Sequence, residues 1–278
     1  MPKISIIIPT YNRCETLKRA IASVFEQSFT DYEVIVVDDG STDQTPAYCS
    51  SINNPQVVCR RFEENRGGNT ARNEGVAHSS GELLAFLDDD DRWMPRKLEK
   101  QIAVMQDDSV DLCYTAKNVI SWKVTAKRYS FLKPRYRDLH KSIMRDNFIG
   151  STSSVIMRRS VLEEVGGFDP NLPGLQDYDV YIRILRKGYK IKGIPEPLVD
   201  YHVIDEKRSI SCSLDEFSRA SQYLIEKYHD DPYLHLLKRG LRIITIKRLV
   251  KSRQFLLDSI RVLFKRVIGI LTKKSSGK

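Results

Sequence analysis

Leu83-Leu84-Ala85-Phe86-Leu87-Asp88-Asp89-Asp90-Asp91 is the stretch on which the reading of this chain turns. Five apolar residues in succession predict a strand buried on both faces, as in the interior of a parallel sheet. Four carboxylates at its end cannot all ionise side by side without strong repulsion unless some meet water or a cation. Clustered carboxylate oxygens are hard ligands of the kind that Mg2+ or Mn2+ takes. Open α/β sheets collect their ligands at the carboxyl ends of the strands, where this run stands. An acidic, solvated loop without a metal is the plainer alternative that the run alone leaves open.

The same pattern extends outward on both sides. Ile4–Ile8 is an apolar run closed by Pro9, and Glu15–Gln27 has helical spacing with Leu17, Ile21, Val24 and Phe25 on one side. Val34–Val37 is a second run, closed by Asp38-Asp39-Gly40, and a short helix is expected from Ser41 or Thr42 to Ser50. Gln56–Phe62, Glu82–Leu87 and Val110–Thr115 read as further strands. Between them Gly67–His78 and Met94–Gln106 read as helices, with Pro95 in a first turn, where proline is tolerated. Strands alternating with helices of this length predict an α/β fold with a mostly parallel sheet covered on both faces. Residues 117–150 are less regular and read as a mobile connection. Ser153–Met157 and Leu198–Val203 read as strands, Asp177–Lys187 as a helix, and the chain from Leu214 onward as helical.

Composition narrows the class. The chain has 278 residues, 41% hydrophobic and 29% charged, which is ordinary for a globular protein with a sizeable core. Its five cysteines (Cys14, Cys49, Cys59, Cys113 and Cys212) are scattered and form no CxxC pair, so neither a zinc knuckle nor a disulfide framework is predicted. Reduced thiols, no signal peptide ahead of the first strand and no long apolar span point to a cytoplasmic protein. The net charge of +9 is uneven: residues 236–278 hold 13 Lys/Arg against one acid, Asp258, so the rest of the chain is slightly acidic. An anionic surface is the partner such asymmetry predicts.

Loops on one edge of a parallel sheet converge on one crevice. Here they offer Pro9-Thr10-Tyr11-Asn12-Arg13, Asp38-Asp39-Gly40-Ser41-Thr42-Asp43 and the aspartate run. An aromatic ring, a carboxylate and a metal site suit a nucleoside diphosphate. Tyr11 could stack on a base, Asp39 could accept hydrogen bonds from base or ribose, and a metal could bridge the phosphates.

These segments closely resemble family 2 glycosyltransferases of the GT-A fold, which are inverting enzymes. The resemblance rests on Ile6–Arg13, Val36–Asp43, Gly68-Asn69-Thr70-Ala71-Arg72-Asn73, Phe86–Trp93, Gly166-Gly167-Phe168-Asp169 and Gln176-Asp177-Tyr178-Asp179, in family order across residues 3–205. Each is weak alone and the set is specific. It implies a nucleotide-sugar-binding half over residues 1–116, an acceptor-binding half of the same domain over 117–212, and a basic helical extension over 213–278. It assigns Pro9, Thr10, Tyr11, Arg13, Asp39, Arg72, Asp88 and Asp89 to the nucleotide and donor. Its Asp-x-Asp metal motif falls on Asp88 and Asp90, with Asp90 the direct ligand of Mn2+ or Mg2+ and Asp88 a further candidate; His202, shifted from the family's spacing, could reach the metal or diphosphate, a structural histidine being the favoured alternative. Asp91, Trp93 and Gln176 are expected on the sugar or acceptor side, Trp93 having a core position as its alternative. The family's catalytic base lies in a Glu-Asp pair at a helix start; here the pair is Gln176-Asp177, so Asp177 is the expected base and Gln176 a departure. Asp179 is expected to be structural, and Arg208 and Ser209 could belong to a lid over the diphosphate.

A helical wheel over Phe255–Leu271 puts Phe255, Leu256, Leu257, Ile260, Leu263 and Phe264 on one side and Asp258, Arg261, Lys265 and Arg266 on the other. Such a basic amphipathic helix is expected to lie on an anionic membrane; docking on the catalytic domain or homodimerisation is the alternative. Nucleic acid ranks below both, because the aromatic interleaving that stacks bases is missing. The expected activity is therefore metal-dependent, inverting transfer of a hexose from UDP-glucose or UDP-galactose to a lipid-linked glycan at the inner membrane face, as in O-antigen or capsule synthesis. The competing class is an inactive sugar-nucleotide-binding or scaffold module. A nucleotidyltransferase would carry a glycine-rich basic loop after its first strand, and Pro9–Arg13 is not one.

Overall fold

A computed structural model describes residues 2–121, 124–203 and 214–249. The first half alternates as expected: β1 (Ile4–Thr10), α1 (Cys14–Phe25), β2 (Tyr32–Asp38), α2 (Thr45–Ser51), β3 (Val57–Arg61), α3 (Gly68–Ala77) and β4 (Leu83–Phe86). A two-residue strand β5 (Arg92–Trp93) and α4 (Lys97–Met105) follow the aspartates. The second half comprises β6 (Leu112–Ser121), β7 (Val124–Ser130), α5 (Leu139–Arg145), β8 (Val155–Arg158), α6 (Arg159–Glu164), α7 (Gln176–Arg186), β9 (Ile191–Val203) and α8 (Leu214–Lys227). A last helix runs over 234–249.

The nine strands of the described residues form one sheet in the order β3-β2-β1-β4-β8-β6-β9-β5, with β7 paired to β6. The block β3-β2-β1-β4 is parallel, β8 is inserted antiparallel beside β4 and β6, and β9 runs parallel to β6. Alternate residues of β1 serve opposite faces. Ile7 joins one apolar cluster with Val37, Phe86 and Phe168, whereas Ile6 and Ile8 join the other with Val34, Val36, Ala85 and Leu87. Burial on both faces is why these strands read as continuous apolar runs.

Residues 117–150 are not a loose connection. β6 continues to Ser121 and forms a ribbon with β7, in which Lys127 pairs with Asp200 at 2.9 Å and the Tyr129 hydroxyl donates to the Pro195 carbonyl at 3.0 Å. This edge ribbon is held by charged and polar contacts to β9, so it carries no apolar period. The start of the C-terminal extension also belongs to the body. Phe217, Ala220, Leu224, Tyr228, Leu236, Leu237 and Leu241 are buried in the cluster shared with α7. Gly240 lies so close to the Arg145 carbonyl that a side chain there would collide with it. The expected amphipathic helix over Phe255–Leu271, and Arg208 with Ser209, lie outside the described residues.

α4 contributes a fully buried cation below the aspartate run. Lys97 Nζ donates to Gln101 Oε1 at 2.6 Å and stands 4.0 Å from the centre of the Trp93 ring. The Gln101 amide in turn donates to the carbonyls of Cys113 and Ser154. Burial pulls the Lys97 ammonium down from 10.5 to about 7. The unfolded chain therefore binds more protons than the folded one between those values, and stability rises with pH across that window. The unfolding free energy should climb from pH 7 to pH 9 by up to about 1.4 kcal/mol per unit, and Lys97→Met should flatten that slope in urea titrations. An equal slope in the variant would contradict this account of Lys97.

Candidate active site

The carboxyl ends of β1, β2 and β4, the head of α3 and the head of α7 meet at one edge of the sheet. The four aspartates are not equivalent there. Asp89 and Asp91 are buried, at 4% and 2% exposure, while Asp88 and Asp90 are only partly covered. Asp89 accepts the Thr10 hydroxyl at 2.7 Å and an Arg13 guanidinium N–H at 2.9 Å. The same Arg13 nitrogen reaches Asp90 at 2.8 Å. Asp91 accepts the backbone N–H of His202 at 3.0 Å, which ties the run to β9. Asp88 meets the guanidinium of the buried Arg72 at 2.5 Å and the Thr152 hydroxyl at 3.3 Å, and its own N–H donates to Ser153 Oγ.

Thr10, Asp89 and Asp91, expected on the ligand, thus face inward and hold the frame, and Pro9 is buried in β1. Trp93, expected on the acceptor side, is fully buried; its indole N–H donates to the Ser153 carbonyl at 2.8 Å. The family motif says which residues cluster and not which way each one faces, and the short strand β5 turns Trp93 into the core. Tyr11 is 43% exposed, so its ring is free at the cleft. Asp39 accepts the backbone N–H groups of Arg66 and Gly67 at 2.7 and 2.9 Å, fastening the loop that leads into α3 and Arg72. Gly40 follows with φ +78 and passes so near the Glu64–Asn65 backbone that a Cβ would lie 2.6 Å from it. Only glycine is comfortable there.

Asp177 lies in the first turn of α7 beside Gln176, and Leu175 before them adopts a left-handed conformation with φ 61. Its carboxylate accepts its neighbour Tyr178's N–H at 2.8 Å and the Asn147 amide at 3.4 Å. Burial raises its pKa, Asp88 adds to that rise, and Lys117 and Arg72 oppose it. Asp179 points into the core, paired with Arg183 at 2.7 Å and bonded by the Tyr228 hydroxyl, which is the structural role expected of it. Sequence reasoning missed Lys117, Thr152 and Ser153, which close the cleft from the β6 side. A lysine two residues past the expected strand Val110–Thr115 was the available signal.

The run suits a cation. Burial, then Asp88 and Asp89, push the Asp90 carboxyl up to about 7, so Arg13 leaves the cluster's negative charge incompletely balanced. Hard carboxylate oxygens at Asp88 and Asp90 fit a divalent metal. Among the described residues no three His, Cys, Asp or Glu side chains already stand in a coordinating group, and the His202 ring joins none.

The chain matches the model of glycosyl transferase family 2 over residues 5–166 and belongs to that family. It is a glycosyltransferase. It is 28% identical over 240 residues to the putative teichuronic acid biosynthesis glycosyltransferase TuaG of Bacillus subtilis, covering 85% of this chain and 91% of that protein. It is 29% identical over 221 residues to the putative colanic acid biosynthesis glycosyl transferase WcaA of Escherichia coli, covering 78% of each. Among solved structures, S. aureus TarS 1-349 in complex with UDP-GlcNAc superposes with a TM-score of 0.70 at 20% identity, over 86% of this chain and 71% of that one. The mannosyltransferase PcManGT of Pyrobaculum calidifontis, in complex with GDP-Man and Mn2+, gives 0.64 at 23% identity over 94% and 75%. The chain spans 43% of a longer TarS chain. These likenesses give the fold, which is GT-A.

The inward position of Trp93 is testable. Trp93→Ala should lower the unfolding free energy by about 3–5 kcal/mol, seen as a shifted urea midpoint. An unchanged midpoint with reduced acceptor use would return Trp93 to the substrate side.

Proposed function

We propose that this glycosyltransferase moves a hexose from a UDP-sugar, with inversion, to a hydroxyl of a lipid-linked glycan during assembly of a bacterial surface polysaccharide. The observation that carries the reading is the convergence of Arg72, the two outward aspartates and the helix-borne Asp177 on one cleft. Tyr11 would lie along the base, and the Asp39-braced loop would set Arg72 toward the diphosphate. Asp177, held by the Tyr178 N–H, would take the proton of the acceptor hydroxyl as its oxygen attacks the anomeric carbon from the face opposite the leaving UDP. Its place in a first helical turn favours the ionised form, which offsets part of the burial that raises its pKa. A divalent ion bound by Asp90, with Asp88, would neutralise charge growing on the diphosphate.

The relatives with named roles in teichuronic and colanic acid synthesis support a surface-polysaccharide acceptor. Donor preference for UDP-glucose or UDP-galactose is the proposal, and UDP-GlcNAc belongs in the same panel because a fold relative holds it. No helix among the described residues is long and apolar enough to cross a membrane. The basic residues of 236–278 would instead hold the enzyme on an anionic surface.

Asp177→Asn should lower turnover roughly 10²–10⁴-fold while leaving UDP affinity near normal. Turnover equal to wild type would remove Asp177 as the base. Because Leu236, Leu237 and Leu241 are core residues, the membrane reading is tested by deleting 250–278 alone. The shortened enzyme should stay in the supernatant with phosphatidylglycerol vesicles that sediment the full chain. Equal sedimentation of both would defeat the membrane assignment.

A further inference from the structure

The cleft holds a cation that the proposed mechanism does not use. Lys117, near the middle of β6, is half-buried, and its Nζ stands 4.1 Å from the centre of the Tyr201 ring on β9. An ammonium has three N–H donors. Among the described residues its one hydrogen-bond partner is Ser151 Oγ, at 3.4 Å. Gly150, at φ +98, passes beneath it, with Nζ 3.5 Å from where a Cβ would be. The charges of Asp91, Asp177 and Asp88 favour the ammonium against the burial that lowers its pKa, and none of them forms an ion pair with it among the described residues. Lys117 is thus a positive group with unspent donors, set among the outward aspartate that meets Arg72, the aspartate that ties β9, and the aspartate at the head of α7.

The chemistry around it selects its ligand. A diphosphate set between the Asp88 and Asp177 carboxylates would be repelled, and Asp88 is already paired with the guanidinium of Arg72. A sugar hydroxyl has the opposite fit, since it can donate to a carboxylate and accept from an ammonium at once. The Tyr201 ring below the ammonium limits its movement, so its free N–H groups are pre-oriented. Resting on the reading of this cleft as a UDP-sugar site, we propose that Lys117 is a donor-sugar contact: its ammonium binds hydroxyl oxygens of the transferred hexose, shared with Asp88, and so presents the anomeric carbon to the acceptor beside Asp177.

The test is calorimetric titration, with Mn2+ present, of UDP, UDP-glucose, UDP-galactose and UDP-GlcNAc into wild type, Lys117→Met and Lys117→Gln. Loss of a charged hydrogen bond predicts that both variants bind UDP as wild type does, but bind the preferred UDP-sugar at least about tenfold more weakly. The unchanged UDP affinity doubles as the check that the variants are folded. Equal weakening toward UDP and UDP-sugar would overturn the inference, as Lys117 would then serve the diphosphate or the fold. Unchanged affinity for every ligand would overturn it too, leaving Lys117 a structural residue. The functional reading fails separately, and takes this inference with it, if wild type binds none of the UDP-sugars. It stands independently if wild type binds one and Asp177→Asn abolishes transfer.

Discussion

The crowding of four carboxylates at the end of β4 is the constraint on which the site depends. Charges of one sign that close together must be buried against partners or turned toward an incoming cation. The chain does both. Thr10 and Arg13 from the end of β1 hold Asp89, the His202 backbone holds Asp91, and Asp88 and Asp90 are left at the cleft. Arg13 spans an inner and an outer aspartate and so ties the two sets together. The loop between β4 and β5 is therefore anchored on both β1 and β9, and with it the relative placement of the two halves of the sheet.

Everything else at the site is arranged with respect to that division. Arg72 reaches Asp88 from α3, and the loop ahead of α3 is fastened by Asp39. α7 carries Asp177 and β6 carries Lys117, whose opposite charges act on each other. Positive groups thus flank the outward aspartates without neutralising them fully, as the raised Asp90 carboxyl records. A site in this state is organised before its ligand arrives, so little reorganisation is left for the moment of reaction.

The strands most plainly readable from the chain were those buried on two faces. β1, β2 and β4 announced themselves as apolar runs, and the heads of α3 and α7 carried recognisable motifs in Gly68–Asn73 and Gln176–Asp179. Orientation could not be read in the same way. Asp91 and Trp93 share motifs with ligand-facing residues, yet a turn at Asp89–Asp90 and the two residues of β5 bury them, and Thr10 is bonded to Asp89 at the end of β1. The β6–β7 ribbon escaped notice because Lys127 finds its partner Asp200 far along the chain, and a charged residue satisfied at such a distance leaves no local pattern. Lys117 was missed because it lies past the apolar run that reads as a strand, where β6 continues. The leading helices of the basic extension also proved to be core, since only their Leu and Phe faces decide where they pack.

The central claim is that the aspartate run is split into an inner, structural pair and an outer, ligand-facing pair. A crystal of the protein soaked with UDP and Mn2+ tests it directly, because anomalous scattering locates manganese independently of the protein atoms. The account predicts an anomalous peak against Asp90, with Asp88 beside it, while Asp89 keeps Thr10 and Arg13 and Asp91 keeps the His202 N–H. Manganese bound to Asp89 or Asp91, or UDP bound with no peak at the run, would contradict it.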